Sequence, residues 1–231
     1  MRKRIITGLT ILLTAGMASA LTAQSCELYT DVKEGSSLKM THYDKKDKVT
    51  GYTTTTITKK EKIPEGVRVG VHQVYNDTEE DLFDSKLEME CRDGVIYFDM
   101  KDFLDPSSMS AYEEMEMEIT ADEMTIPSNA KPGTDLNDGT IEVSINTGSP
   151  VTVNMTVTTE NRKVEANEKI TTPAGTFDCL KITYDMVSKV GFVKVQTSAI
   201  EWYSPGTGTI RTESYNKRGK LTGYTVLEEI N

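Results

Sequence analysis

The feature that most restricts what this chain can fold into is repeated alternation of apolar and polar residues, with no long amphipathic helix to set against it. Val67-Arg-Val-Gly-Val-His-Gln-Val-Tyr75 alternates over nine positions, and Val151-Thr-Val-Asn-Met-Thr-Val-Thr-Thr159 follows the same pattern. Glu114 to Ile119 and Ile141 to Ile145 repeat it, and Thr53 to Thr58 is a β-branched run. Period two gives a strand one apolar face, and β-branched side chains favour the pleat over the helix. Gly, Asn, Asp and Pro interrupt the runs at short intervals, which suits antiparallel connections. Such a sheet must cover its own apolar face, by curling into an open or partly closed barrel or by stacking as a sandwich. The expected fold is therefore all-β: a single antiparallel sheet system, curved toward a barrel, with a sandwich as the alternative. One short helix is expected over Asp99 to Leu104, extending toward Ser110. Residues 126–139 form the one long loop, read as a connection crossing a single domain rather than a boundary between two.

The first residues address the chain. Arg2, Lys3 and Arg4 precede a mostly apolar run from Ile5 to Ala20, and Leu21-Thr22-Ala23 ends in a small residue. That order predicts a signal peptide over 1–23, with Gln24 starting a mature all-β domain over 24–231. The run holds Thr7, Gly8, Thr10, Thr14 and Gly16 and is short for a membrane span. Lipidation at Cys26 is the alternative, but Gln24 departs from the small residues a lipobox requires. Cleavage removes three positive charges and no acid, moving the formal charge from −10 to −13. Such a chain has no general basic field for nucleic acid or for anionic headgroups. The expected address is the periplasm or the outer membrane.

Three cysteines, Cys26, Cys91 and Cys179, are too far apart for a zinc pattern. An oxidising compartment allows at most one intramolecular disulfide among them. Sequence does not fix the pairing. Cys26–Cys91 is the expected pair, because it would tie the loose mature terminus to the sheet. One internal echo stands out: Tyr43-Asp-Lys-Lys-Asp-Lys-Val-Thr-Gly-Tyr-Thr53 matches Tyr215-Asn-Lys-Arg-Gly-Lys-Leu-Thr-Gly-Tyr-Thr225 at seven of eleven positions. Each copy reads as a hairpin with a polar, basic turn, and the repeat is local rather than a solenoid period.

Catalytic and metal-binding motifs are missing. The two histidines, His42 and His72, lie in strand patterns, and no nucleophile elbow or phosphate loop occurs. Asp135-Leu-Asn-Asp-Gly139 falls one position short of the calcium-loop glycine and reads as a turn. Asp99, Asp102 and Asp105 read as capping and solvation of the short helix. Pro173-Ala-Gly-Thr-Phe177 reads as a tight turn opening a strand to Tyr184. No catalytic residue, metal or cofactor is expected. Six of the eleven methionines (Met89, Met100, Met109, Met115, Met117 and Met124) crowd one third of the chain. They suit an ordinary core or an adaptable apolar pocket. If the sheet encloses a cavity, Met115, Met117 and Trp202 are the residues expected to line it, although Trp202 also suits a core plug beneath its turn.

Asn161-Arg-Lys-Val-Glu165, Ile170-Thr-Thr-Pro-Ala-Gly-Thr-Phe-Asp-Cys-Leu-Lys-Ile182 and Glu201-Trp-Tyr-Ser-Pro-Gly-Thr-Gly-Thr-Ile210 resemble a family of exported proteins of anaerobic Gram-negative commensals. These are labelled TapB-like or as a domain of unknown function, and the resemblance runs from Cys26 to the C-terminus. It implies a YmcC-like fold, a curved antiparallel sheet closing toward a barrel, and carries no activity with it. The functional expectation is a non-catalytic envelope protein with an apolar or amphipathic ligand. The alternative is a structural or interaction module, so the partner is either a lipid or another envelope protein.

Overall fold

The computed structural model describes residues 26–77, 82–103, 115–146, 148 and 152–231. The predicted signal peptide lies outside them. Among the described residues thirteen strands form one antiparallel sheet, in the order β6-β8-β9-β10-β11-β12-β13-β1-β2-β3-β4-β5-β7. The strands are β1 Ser37–Asp44, β2 Val49–Ile63, β3 Gly66–Asp77, β4 Leu82–Arg92, β5 Val95–Asp99, β6 Glu116–Ala121 and β7 Glu123–Pro127. They continue with β8 Gly139–Asn146, β9 Thr152–Thr172, β10 Gly175–Val190, β11 Val193–Ser204, β12 Gly208–Asn216 and β13 Leu221–Ile230. The sheet curls into a nearly closed barrel, the first of the two arrangements open to the sequence.

The closure depends on one stretch of chain. The edge strands β6 and β7 are consecutive in sequence, yet β6 pairs with β8 and β7 with β5. Residues 116–127 are thus hydrogen-bonded first to one end of the sheet and then to the other. Asp122 sits at the switch: its amide donates to the Thr140 carbonyl, and its own carbonyl accepts from Met100. Beyond the switch, the long loop fills the gap between β7 and β9. The Gly133 amide donates to the Val164 carbonyl, Val164 to Thr134, and Leu136 to Arg162. The Asn137 side chain imitates a strand, accepting from the Thr125 amide at 2.8 Å and donating to the Glu123 carbonyl at 2.8 Å. A barrel edge that would otherwise be a row of open backbone groups is covered in this way.

The repeated sequence forms two hairpins, β1–β2 and β12–β13, side by side through the β13–β1 pairing. Their turns share one solution. Asp44 Oδ1 accepts from the amides of Lys46 and Lys48, and Asn216 Oδ1 accepts from Arg218 and Lys220. Asp47 and Gly219 occupy the same left-handed position, at φ 62° and 69°. Tyr43 of one copy stacks on Tyr224 of the other, with ring centroids 4.8 Å apart. The shared glycine is explained by crowding: a Cβ on Gly223 would lie 2.7 Å from the Tyr43 carbonyl oxygen, and one on Gly51 2.7 Å from that of Asn76.

Residues 26–36 form no strand but cover the end of the barrel at the β11–β12 turn. Tyr29 and Asp31 donate to the carbonyls of Pro205 and Gly206, and Leu28 and Val32 are buried in the core. The Lys60 ammonium donates to the carbonyls of Tyr29 and Val32. A disulfide joins Cys26 to Cys91 at the end of β4, with Cα atoms 5.6 Å apart, and Cys179 is free and buried. Helix is scarcer than expected. Asp99 to Leu104 contains one 3-10 turn, Met100–Phe103, since β5 runs through Asp99 and Met100 turns at once into the core. The expected extension toward Ser110 lies outside the described residues.

Candidate functional site

Alternation on the strands decides what faces the barrel interior. On β11, Glu201 and Tyr203 point inward while Trp202 between them points out. On β10, Tyr184 and Met186 share the inner face, and on β9, Val157 and Thr159 do so. These residues wall a cavity of about 230 Å³, with Leu87 and Met89 of β4, Phe98 at the end of β5, and Met100, Met124 and Ile126 from the closing seam. Tyr29 of the N-terminal segment closes its floor. The wall is mainly apolar, with a few polar groups among which Arg162, Glu201, Tyr184 and Tyr203 come from the adjacent strands β9, β10 and β11, the usual make-up of a small-molecule pocket.

Those polar groups are unevenly satisfied. Arg162 is 6 % exposed and donates through Nη1 to the carbonyl of Asn137 at 2.7 Å, with a longer bond of 3.4 Å to Thr125. It therefore ties the closing strand and the long loop to β9 from within. Burial lowers its pKa, and the nearby Glu201 carboxylate opposes that shift. Burial likewise raises the pKa of Glu201, against the Thr209 hydroxyl donating to it at 2.7 Å and the charge of Arg162. Tyr29 is pushed up to about 12 by burial and by the charge of Glu201. Tyr184 is raised by the same two causes. Tyr203 is 3 % exposed, and its hydroxyl has no hydrogen-bond partner among the described residues. A buried hydroxyl without a protein partner costs on the order of 1–3 kcal/mol unless a water or another bound group supplies the hydrogen bond.

The residues expected to line a cavity do not line this one. Trp202 lies on the far face of β11, where Nε1 donates to Glu168 at 2.7 Å and Lys181 and Arg211 flank the indole. The indole is nearly completely buried there, beneath these polar neighbours. Met115 is exposed ahead of β6, and Met117 packs on the cluster of Met100, Met124 and Ile145 without joining the cavity lining. Both sit at the seam, above the point where the chain crosses to β5. The methionine crowding was nevertheless informative, because Met89, Met100 and Met124 do form cavity wall. Met109 and Asp105 lie outside the described residues. What sequence reasoning missed is the polar group. Arg162 and Glu201 stand inside the family-like stretches, but in a chain rich in charged residues nothing local marks either as buried. The histidines lie elsewhere: His42 bonds Thr53, and His72 pairs with Asp84. No cluster of His, Cys, Asp or Glu suited to a metal occurs among the described residues.

A nearly closed antiparallel barrel, plugged at one end and hollow inside, defines a class of small cavity-bearing β-proteins. Within it, the chain belongs to the DUF3108-like family, whose model matches residues 33–227. Two solved structures resemble it closely in fold. One is described as an exported protein with a YmcC-like fold from Bacteroides fragilis, with a TM-score of 0.72 and 24 % identity over 89 % of this chain and 100 % of that one. The other is described as a lipoprotein of Parabacteroides distasonis, with a TM-score of 0.72 and 26 % identity over 90 % of this chain and 100 % of that one. The YmcC lipoprotein of Escherichia coli is more distant, with a TM-score of 0.36 and 9 % identity over 85 % of each chain. No curated protein matches.

Proposed function

We propose that this chain is an exported, non-catalytic protein of the bacterial envelope that holds an amphipathic ligand inside its barrel. The observation that carries the reading is a mainly apolar cavity beside which the Tyr203 hydroxyl is buried without a protein partner. Its size supports the reading too, since an apolar cavity of about 150 Å³ already accepts a molecule such as benzene. The ligand's apolar part would pack on Met89, Met124, Ile126 and Val157. Its polar end would meet Tyr203, with Glu201 and Arg162 nearby, and a hydroxyl or carbonyl suits that corner better than a second full charge. The envelope address is supported by the basic-then-apolar start of the chain and by the descriptions of the two similar proteins as exported and as a lipoprotein.

Native mass spectrometry of protein taken from the envelope fraction tests the proposal. The expected result is a retained small mass, reduced in Tyr203→Phe protein that melts normally. A purely unliganded mass, together with no uptake of a fluorescent fatty-acid probe, would leave the chain a structural or interaction module.

A further inference from the structure

The hairpin tips at the end of the barrel opposite the plug differ sharply from the rest of the surface. β10 and β11 are joined by the two-residue turn Gly191-Phe192, with Gly191 at φ 55°, as a type II′ turn requires. Phe192 is fully exposed, and Val190, Val193 and Val195 around it are exposed as well. Val190 and Val193 pair across the hairpin, and directly behind them Lys189 pairs with Lys194. Thr197 is the last β11 residue to pair with β12, opposite Asn216. Five residues then carry the hairpin on to Phe192, about 16 Å along the strand. The neighbouring tips are the two repeated turns. They present Lys45, Lys46, Lys48, Lys217, Arg218 and Lys220, all exposed, against only Asp44 and Asp47. Asp44 is occupied in capping its own turn, and Asp47 accepts from the Tyr224 hydroxyl at 2.8 Å. A chain of net charge −10 therefore gathers cations on two adjacent turns beside a projecting apolar tip, while the next connection, which leaves β3 at Asp77 beside Gly51, is acidic in sequence (Glu79, Glu80 and Asp81).

We infer that this end of the barrel docks on an anionic lipid surface, with Phe192 and its flanking valines entering the interface and the basic tips meeting the headgroups. An exposed Phe on a narrow tip offers too little area for a stable protein–protein contact, which needs roughly 800 Å² per partner. It does suit insertion to acyl depth, and lysines just behind it fit phosphate-bearing headgroups. The negative charge expected to keep the chain off such surfaces is a property of the whole molecule. Over the last ~10 Å, screening leaves the local sign in control. The inner face of β10 and β11 also runs from Met186 past Ser188 to Val190, so the tip adjoins the wall of the cavity. The docking holds independently of what the cavity contains.

Flotation of the folded chain with vesicles tests this, using phosphatidylethanolamine with phosphatidylglycerol, and phosphatidylcholine alone. Binding to the first and little to the second is expected, with a loss of about tenfold or more in Phe192→Asp protein. Lys217→Glu with Arg218→Glu should abolish the preference between the two vesicles. Phe192→Trp supplies a direct probe: its emission should shift blue on anionic vesicles and be quenched by brominated acyl chains, while buried Trp202 is not. Absence of binding to both vesicles, or binding unchanged by Phe192→Asp, overturns the inference. All three variants lie on exposed turns, and an unchanged melting curve shows that they are folded.

Discussion

Reducing the Cys26–Cys91 disulfide is a perturbation whose size follows from the chain path. The bridge closes a loop with a sequence separation of 65, spanning β1 to β4. Loop-closure entropy for that length corresponds to about 4 kcal/mol taken from the unfolded state. The native side of the balance should change little. The first turn keeps its bonds to Pro205 and Gly206, and Leu28 and Val32 stay buried without the bridge. The assay is urea denaturation of the oxidised chain against a chain reduced in denaturant and refolded under reductant. At a slope of about 2–3 kcal/mol per molar for a domain of this size, the midpoint should fall by about 1–2 M. In a thermal scan the fall should be roughly 8–16 °C. Cys179 is a built-in control, because it is buried with its thiol pKa pushed up to about 12 and should stay unreactive until the barrel opens. Oxidised and reduced midpoints within about 0.3 M of each other would refute the reasoning. They would mean that the unfolded chain already holds residues 26 and 91 together, so the bridge removes no freedom.

Three further outcomes follow from the same geometry. Tyr203→Phe should leave the unliganded protein as stable as the parent or more stable, by up to about 1 kcal/mol in urea. A hydroxyl with a protein partner would instead lose about 1 kcal/mol when removed. Burial raises the Glu201 pKa, so the native state keeps a proton that the unfolded state gives up, and stability falls as pH rises from the unfolded toward the folded value. Glu201→Gln should flatten that slope in melts taken across weakly acid pH, and should raise stability at neutral pH. Gly223→Ala places a Cβ against the Tyr43 carbonyl and should cost about 1–3 kcal/mol by urea denaturation, whereas Gly219→Ala should be limited to the milder penalty of an open left-handed turn.

Local chemistry alone decided much of this protein. Alternation in Val67 to Tyr75 and Val151 to Thr159 specified strands, because a period of two has no helical solution that buries one face. The repeat at Tyr43 and Tyr215 specified two like hairpins, because an Asp or Asn able to bond two amides and a residue tolerant of positive φ build the same turn wherever they recur. Closure, by contrast, is a long-range event. Nothing local at Asp122 says that the chain will leave β8 there for β5, and only that exchange puts Asn137 and Arg162 across the seam. The cavity follows from it. Glu201, Trp202 and Tyr203 are adjacent in sequence, and which of them faces inward depends on the parity of β11 within the closed sheet. That parity placed the indole outside, beside Glu168, and turned the phenol into the barrel. A one-residue step reverses a strand's two faces, so no reading of composition could have chosen between them.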